Sequence, residues 1–594
     1  MNGARAVTVY LPLKRQTSLR VGKRKEIKMK KNNPVKKIAQ ISDLKDLVET
    51  NAECYGDKAL YYYKEGKEVL SFSHNRLKAS VDGLGTAFSL IGVMGSNIAV
   101  IGDTNPYYMV TYYAAANGGG AIIPLDKELD NETIAGFLKI ADAKALVYTE
   151  SFNSRIPEIE ALAPFIKYFI PIKPDEALMP NEKYRALVSL IEDGTKAIED
   201  GNNTFTDFMP DREALAALIF TSGTTGTSKC VMLSHKNLAT ATNACCESMS
   251  QFGEDSTFVS VLPMNHSYEV TTEHLALSRI GSSTYINDSI KNALRSFNYF
   301  KPNSLLLVPL FVETIYKRIW KEIDKKGKRR SAKFGMALSG VLLKVGIDVR
   351  KKLFKDVVSA LGGNLKCIVC GGAPLSKELI HDFHSFGIEI LEGYGITECS
   401  PLVSVNRLGK ARPGSVGTPV EGCTVKIDKQ ESEKTGEILV KGDNVMMGYL
   451  NNPEATAEVF TEDGWFKTGD IGYLDKDGYI YITGRKKNVI ILSNGKNIFP
   501  EELEEHLYKN EIIGECVIIG RKAGSGETAI TAVIFPNAEL SEGKSAEEIA
   551  AAVKDAVDLT NKHLPTFKHI QAFEIRDTEF EKTTTRKIKR FLVK

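Results

Sequence analysis

The run Thr221-Ser222-Gly223-Thr224-Thr225-Gly226-Thr227-Ser228-Lys229 has the residue types of a phosphate cradle. It follows directly on a strand-like apolar segment, residues 214–220. Glycines let the backbone approach an anion, and successive N–H groups can then surround phosphate oxygens. The hydroxyls add donors and Lys229 adds a positive charge. The common nucleotide loop ends Gly-Lys-Ser/Thr, and this run does not. A plain Ser/Thr/Gly linker rarely leaves a buried strand and stops on a lysine, so phosphate binding is the stronger reading.

Two further motifs suit the rest of a nucleotide. In Gly393-Tyr394-Gly395-Ile396-Thr397-Glu398, a tyrosine on a glycine turn can offer its ring to a base. A Thr hydroxyl beside a Glu carboxylate suits a phosphate oxygen and a magnesium ion. In Gly464-Trp-Phe-Lys-Thr-Gly-Asp470, followed by Gly484-Arg485, the Asp can accept from ribose hydroxyls and the Arg can reach ribose or phosphate. Taken singly, each of these two is more often a turn with a surface ion pair.

Short apolar strands at 98–102, 121–125, 145–148, 214–220, 304–309 and 366–370 alternate with helical stretches. That order predicts a large α/β N-terminal domain with largely parallel sheets. A hairpin over 59–73 and a helix to about Ile91 precede them. From about Gly414 the pattern changes to short strands with tight glycine turns, and past Lys487 a small α+β unit has a helix starting at Pro500. The basic run Lys325–Lys333 reads as an exposed loop. At 594 residues the chain is too long for one core. The longest apolar run, 304–312, contains Pro309 and is too short to span a bilayer.

The net charge of +3 conceals an asymmetry: residues 1–37 hold twelve Lys/Arg and one acid, Glu26. The rest of the chain is net acidic, which argues against nucleic acid as a partner. The basic segment lacks apolar periodicity and is predicted to be a disordered extension. Three readings stay open for it: a peripheral membrane-surface contact, a targeting segment, or a dispensable extension with the natural start nearer Met29, which is favoured. Nine scattered cysteines suit a reducing, cytoplasmic setting without a disulfide framework. Cys367-Ile-Val-Cys370 has redox or metal spacing, but it lies in an apolar strand and reads as two small buried residues.

The three motifs, in this order, resemble the adenylate-forming (AMP-binding) superfamily over roughly residues 41–594. The texture of Gly371-Gly-Ala-Pro-Leu375, Leu391-Glu-Gly-Tyr-Gly395, Ser404-Val-Asn406 and Val445-Met-Met-Gly-Tyr449 is similar to long-chain fatty acyl-CoA synthetases. The resemblance implies ligase activity in fatty acid metabolism: ATP turns a fatty acid into an acyl-AMP, and the acyl group then passes to coenzyme A. It implies a large domain, 41–486, and a small mobile domain, 487–594, with Lys487 at the hinge. Thr221, Ser222, Gly223, Thr224, Thr225, Gly226 and Lys229 would hold the β- and γ-phosphates. Gly372, Ala373 and Pro374 would line the adenine pocket, with Tyr394 on the base between Gly393 and Gly395. Thr397 would bind the α-phosphate, and Glu398, with Thr221, would hold Mg2+. Asp470 and Arg485 would take the ribose, and His266 would stand near the substrate carboxylate. Gly495 would line the pantetheine tunnel, and Lys587 would be the catalytic lysine. Lys587 departs from the family pattern: Arg586 precedes it where glycine is usual, which leaves Lys582 and Lys589 as rivals. Cys230 also stands where glycine is usual.

The acceptor could instead be an acyl-carrier-protein thiol, and the acid could be other than long-chain. The run Leu361-Gly-Gly-Asn364 lacks the serine of a carrier domain, and the chain stops seven residues after Lys587, so no fused carrier is expected. Gly524-Ser-Gly526 imitates a dinucleotide fingerprint but reads as a hairpin turn. His381 and His384 read as a solvated helix face, and Asn202-Asn-Thr204 as a glycosylation frame without a secretion signal.

Overall fold

In this computed structural model the described residues are 39–174, 181–221, 228–492, 497–522, 528–582 and 588–593. The expected basic extension, the loop residues 222–227, Gly495 and Lys587 therefore lie outside the described residues.

Consecutive apolar residues build the central sheet. Asn97–Ile101 pairs in parallel with both Ile122–Leu125 and Ala143–Tyr148, and Leu215–Thr221 pairs in parallel with Ile122–Leu125. All four residues of the run Ile98-Ala-Val-Ile101 are buried, as strands covered on both faces require. Tyr168–Pro171 closes one edge. At the other, Lys229–Ser234 returns antiparallel against Leu215–Thr221, and Gly448–Tyr449 follows it. Helix Pro106–Asn117, capped by Asn105, lies almost wholly buried against this sheet.

A second sheet aligns Ser304–Leu307, Cys367–Gly371 and Glu389–Gly395 in parallel, then Leu402–Val405 and Thr418–Pro419 antiparallel. The hairpin Ala59–Glu65/Glu68–Ser73 joins Ser283–Ile286 and Thr257–Ser260 in a third. Residues 423–485 form a four-stranded antiparallel sheet, matching the change of texture past Gly414. The carboxyl-terminal part packs Pro500–Leu507 and Ala546–Lys562 on the strands Ile513–Lys522, Thr528–Pro536 and Ala572–Ile575. It has its own core around Ile498, Leu503, Ile534 and Val553. The architecture is the expected one: a large α/β part whose mixed sheets contain parallel strands, and a small α+β part.

Three local expectations gain detail. Residues 325–333 are not a loop: helix Pro309–Lys325 ends there, and helix Arg329–Lys344 begins after a turn at Gly327. The loop reading weighed charge density and missed the helical spacing of Ala332, Met336 and Ser339, which face the protein. Cys367 and Cys370 are buried and unbridged on their strand, and burial pushes the Cys367 thiol up to about 12. Gly524–Gly526 lie outside the described residues, between strands paired antiparallel up to Lys522 and Thr528.

Candidate active site

Thr221 ends one strand and Lys229 begins the next. The two are cross-strand partners, and the Thr221 hydroxyl donates to the Lys229 carbonyl at 3.3 Å. Ser222, Gly223, Thr224, Thr225 and Gly226, the rest of the expected cradle, lie outside the described residues. Lys229 Nζ lies 4.5 Å from the centre of the Tyr449 ring, a cation–π contact. The Tyr449 hydroxyl donates to Glu398 Oε1 at 2.9 Å. One chain of contacts thus joins Lys229 to Glu398. Burial and the nearby Glu398 charge keep the Tyr449 phenol protonated, well above its usual range.

Glu398 sits in the turn Thr397–Cys399, which leaves the strand Glu389–Gly395. Asn444 Nδ2 fixes that turn by donating to the carbonyls of Cys399 and Leu402, and the Met446 N–H donates to the Glu398 carbonyl at 2.8 Å. The Thr397 hydroxyl is 3.3 Å from that of Ser267. Ser267 follows His266, so this contact holds the His266 turn against the Thr397 turn. The next helical stretch, Val270–Leu275, is π-helical, a form frequent at functional sites. Beneath it the fully buried Glu269 accepts from Ser260 and lies 3.7 Å from His274. Burial, with Glu269 adjacent, raises the neighbouring Glu273 carboxyl well above the usual range.

Asp470 and Arg485 are opposite one another on antiparallel strands. Arg485 Nε meets Asp470 Oδ1 at 2.9 Å, and the Tyr394 hydroxyl donates to Oδ2 at 2.7 Å. Asp470 is only 3% exposed, so this pair of partners offsets its desolvation and fixes its orientation. Gly372 follows the strand Cys367–Gly371 at φ 92°, a backbone region that favours glycine, and turns Ala373 and Pro374 over the cleft.

Apart from Lys582, a rival for the catalytic lysine, every described candidate residue borders a single cleft of about 2260 Å3. Thr221, Lys229, His266, Thr397, Glu398 and Tyr394 line it, together with Gly372, Ala373, Pro374, Gly393, Gly395, Asp470, Arg485 and Lys487. Desolvation first, and then the charge of Arg485, lower the Lys487 amine to about 8. Of the rivals to Lys587, Lys582 is held by Glu515 and Glu579 and does not border the cleft, whereas Lys589 does. Lys582 forms an antiparallel bridge with Ile588.

Val261, Leu294, Leu306, Phe311 and Ile315 also border this cleft and make up its apolar branch, and Arg318 of helix Pro309–Lys325 borders it too. Reading the sequence by motif missed Tyr449, Ser267 and Glu392 as site residues. Tyr449 was within a quoted family run, while Ser267 carried no signal because its partner is 130 residues away.

Comparison with known proteins agrees with this geometry. The profile described as AMP-binding enzyme matches residues 48–450, and that described as AMP-binding enzyme C-terminal domain matches 487–593. A long-chain-fatty-acid–CoA ligase, FadD15 of Mycobacterium bovis, is 30% identical over 87% of this chain and 89% of its own length. A chloroplastic long-chain-fatty-acid–[acyl-carrier-protein] ligase of Arabidopsis thaliana, AEE15, is 25% identical over 86% of this chain and 78% of its own. The crystal structure of ATP-bound MatB from Rhodopseudomonas palustris shares the fold with a TM-score of 0.70 at 22% identity, covering 93% of this chain and 98% of that one. The chain belongs to the AMP-binding enzyme family and is an adenylate-forming acid–thiol ligase that uses ATP.

Proposed function

We propose that this ligase activates a fatty acid, of long chain, and transfers it to coenzyme A, releasing AMP and pyrophosphate. The observation that carries the reading is the lining of the cleft: aliphatic and aromatic side chains border the same cavity as the residues assigned to the nucleotide. A small polar acid has no use for such a wall, whereas an acyl tail gains about 0.8 kcal/mol per buried methylene. The names of FadD15 and AEE15 support the same substrate class.

In the first half-reaction the carboxylate attacks the α-phosphorus, and pyrophosphate leaves. Charge grows on the phosphoryl oxygens and needs preorganised donors. Thr397 and the loop 221–229 supply hydroxyl and N–H donors, Lys229 binds the terminal phosphates, and Lys587 neutralises the α-phosphate. His266 orients the acid, and the Asp470–Arg485 pair takes the ribose while Tyr394 flanks the base. Glu398 and Thr221 offer the hard oxygen donors that Mg2+ requires. Because Tyr449 occupies Glu398 Oε1, the carboxylate is already oriented. A bound Mg2+ would neutralise phosphate charge. For the second half-reaction we infer that the small domain, 487–594, turns about Lys487 and exchanges Lys587 for the Gly495 loop, which admits the pantetheine thiol.

The AEE15 relationship favours one alternative, transfer to an acyl-carrier-protein thiol. In either case the enzyme works in the cytoplasm, with peripheral access to membrane lipid. A panel of acids from acetate to long-chain, read by AMP formation with coenzyme A, with carrier protein or with neither, tests the proposal. Long-chain acids turned over with coenzyme A support it. Turnover confined to short acids, or to the carrier protein, overturns it.

A further inference from the structure

Helix Arg329–Lys344 is apolar on two sides. Ala332, Met336 and Ser339 face the protein, with Ala332 and Met336 packed against the core that holds Trp320 and Phe354. The opposite side should then be polar, and it is not. Phe334, Leu338, Val341 and Val345 recur three or four residues apart, on one stripe of the solvent side. Phe334 is 70% exposed, Val341 62% and Val345 68%. Single exposed apolar residues are ordinary, but a stripe of four large ones, extended by the exposed Ile347, is not.

The charge around the stripe is one-sided. Residues 325–355 contain eleven Lys/Arg and one acid, Asp348, which is paired with Arg350. Arg330, Lys333 and Lys344 lie along the same flank of the stripe, and among the described residues none has an acidic partner. An apolar stripe bordered by basic side chains is the pattern of a helix that lies in the plane of an anionic membrane, its apolar face among the acyl chains and its cations at the phosphates. A second copy of this chain would meet the same excess of positive charge, which disfavours self-association through this face.

We propose that helix Arg329–Lys344 is a membrane-docking surface for bilayers containing anionic phospholipid, separate from the basic segment 1–37. Its position gives it a use. The preceding helix, Pro309–Lys325, lines the apolar branch of the cleft with Phe311 and Ile315, so docking brings that branch to the bilayer from which a poorly soluble acid would be taken. Docking stands on the helix alone; only this use rests on the fatty-acid reading.

The test is flotation of the full chain, without acid or ATP, on phosphatidylcholine vesicles with and without about one-third phosphatidylglycerol. Binding should be at least about tenfold stronger to the anionic vesicles and should weaken with salt. Phe334→Glu/Val341→Glu and, independently, Arg330→Glu/Lys333→Glu/Lys344→Glu should each cut it at least about tenfold. Both variants should keep pyrophosphate release from detergent-dispersed acid within about twofold of the parent, since none of these residues borders the cleft. A chain lacking residues 1–37 should still float. The proposal falls if the parent does not float, if both helix variants float as well as the parent, or if removing 1–37 alone abolishes binding. It also falls if sedimentation shows a dimer that Phe334→Glu dissociates while vesicle binding is unchanged.

Discussion

The two parts of the cleft, proposed above for the nucleotide and for the acyl tail, are built on different principles. At the nucleotide end nearly every side chain is tied to another: Tyr394 to Asp470, Asp470 to Arg485, Lys229 to Tyr449, Tyr449 to Glu398, Thr397 to Ser267. At the acyl end Leu306, Phe311 and Ile315 offer only surface. Phosphate, ribose and a cation need donors and acceptors within a few tenths of an ångström, so one wrong atom is costly. A methylene chain needs width and length, which many residue combinations supply. Substitutions at the first end should therefore cost rate, and those at the second should change the choice of acid.

The sharpest way to break this contrast is Glu398→Gln. An amide is a poor ligand for a hard cation, yet it can still accept from Tyr449, so folding should be spared. Adenylation should fall by about 10³-fold or more, the several kcal/mol that a neutralising metal supplies. Pyrophosphate release by the folded variant at more than a tenth of the parent rate would remove Glu398 from the metal role.

Next in size is Lys587→Ala. Acyl-AMP formation should slow by about 10²-fold, the scale of one preorganised donor, while thioester formation from acyl-AMP supplied ready-made should persist. Gly495→Leu should show the reverse, because a side chain there would obstruct the thiol. Single-turnover kinetics of each half-reaction read both. If Lys587→Ala harms neither half and Lys589→Ala harms the first, the lysine beside the cleft is the catalytic one.

The contrast also accounts for what was legible in the sequence. The residues proposed for the nucleotide stood out in the sequence because that chemistry demands rare local combinations: Thr397 beside Glu398 on a glycine turn, or hydroxyls and glycines ending on Lys229. The parallel strands were readable because burial on both faces enforces runs such as Ile98-Ala-Val-Ile101. Contacts made by the fold between distant segments were not. Ser267 and Thr397, or Lys229 and Tyr449, meet only once the sheets are assembled. The acyl branch left no signal, because Leu306 and Ile315 look like any core residues until the space beside them is seen. Helix Arg329–Lys344 was obscured by its lysines, which dominate a reading by charge.

At the acyl end, Ile315→Trp should act on selectivity. The larger ring would take up branch volume where helix Pro309–Lys325 faces it, and the preferred acid should shorten. The ratio of kcat/KM for a long acid to that for a medium-chain acid should fall by about 10- to 100-fold, the range a few methylenes command in an apolar pocket. The rate with the medium-chain acid should stay near the parent value. An equal loss on both acids would mean that the branch does not hold the tail.

The smallest effect belongs to Glu392, which borders the cleft and whose carboxyl has one hydrogen-bond partner among the described residues, the Gly414 N–H at 2.9 Å. Burial raises its carboxyl to about 7, against the opposing pull of that hydrogen bond and of Lys377. The unfolded chain ionises this group near 4.5, so the folded state binds the extra proton between the two values. Its contribution to stability is therefore intact below about pH 4.5 and is lost as the pH rises towards 7. The whole span is worth about 3 kcal/mol, at 1.36 kcal/mol per pKa unit. Glu392→Gln keeps an acceptor for Gly414 but has no proton to lose. Its midpoint in urea should match the parent at pH 4.5 and exceed it at pH 8, with the difference growing between. A constant difference across that range would mean that Glu392 is ionised throughout. The cleft would then hold a fixed negative charge beside its adenine wall, and the division between a polar end fixed by partners and an apolar end would have to be redrawn around it.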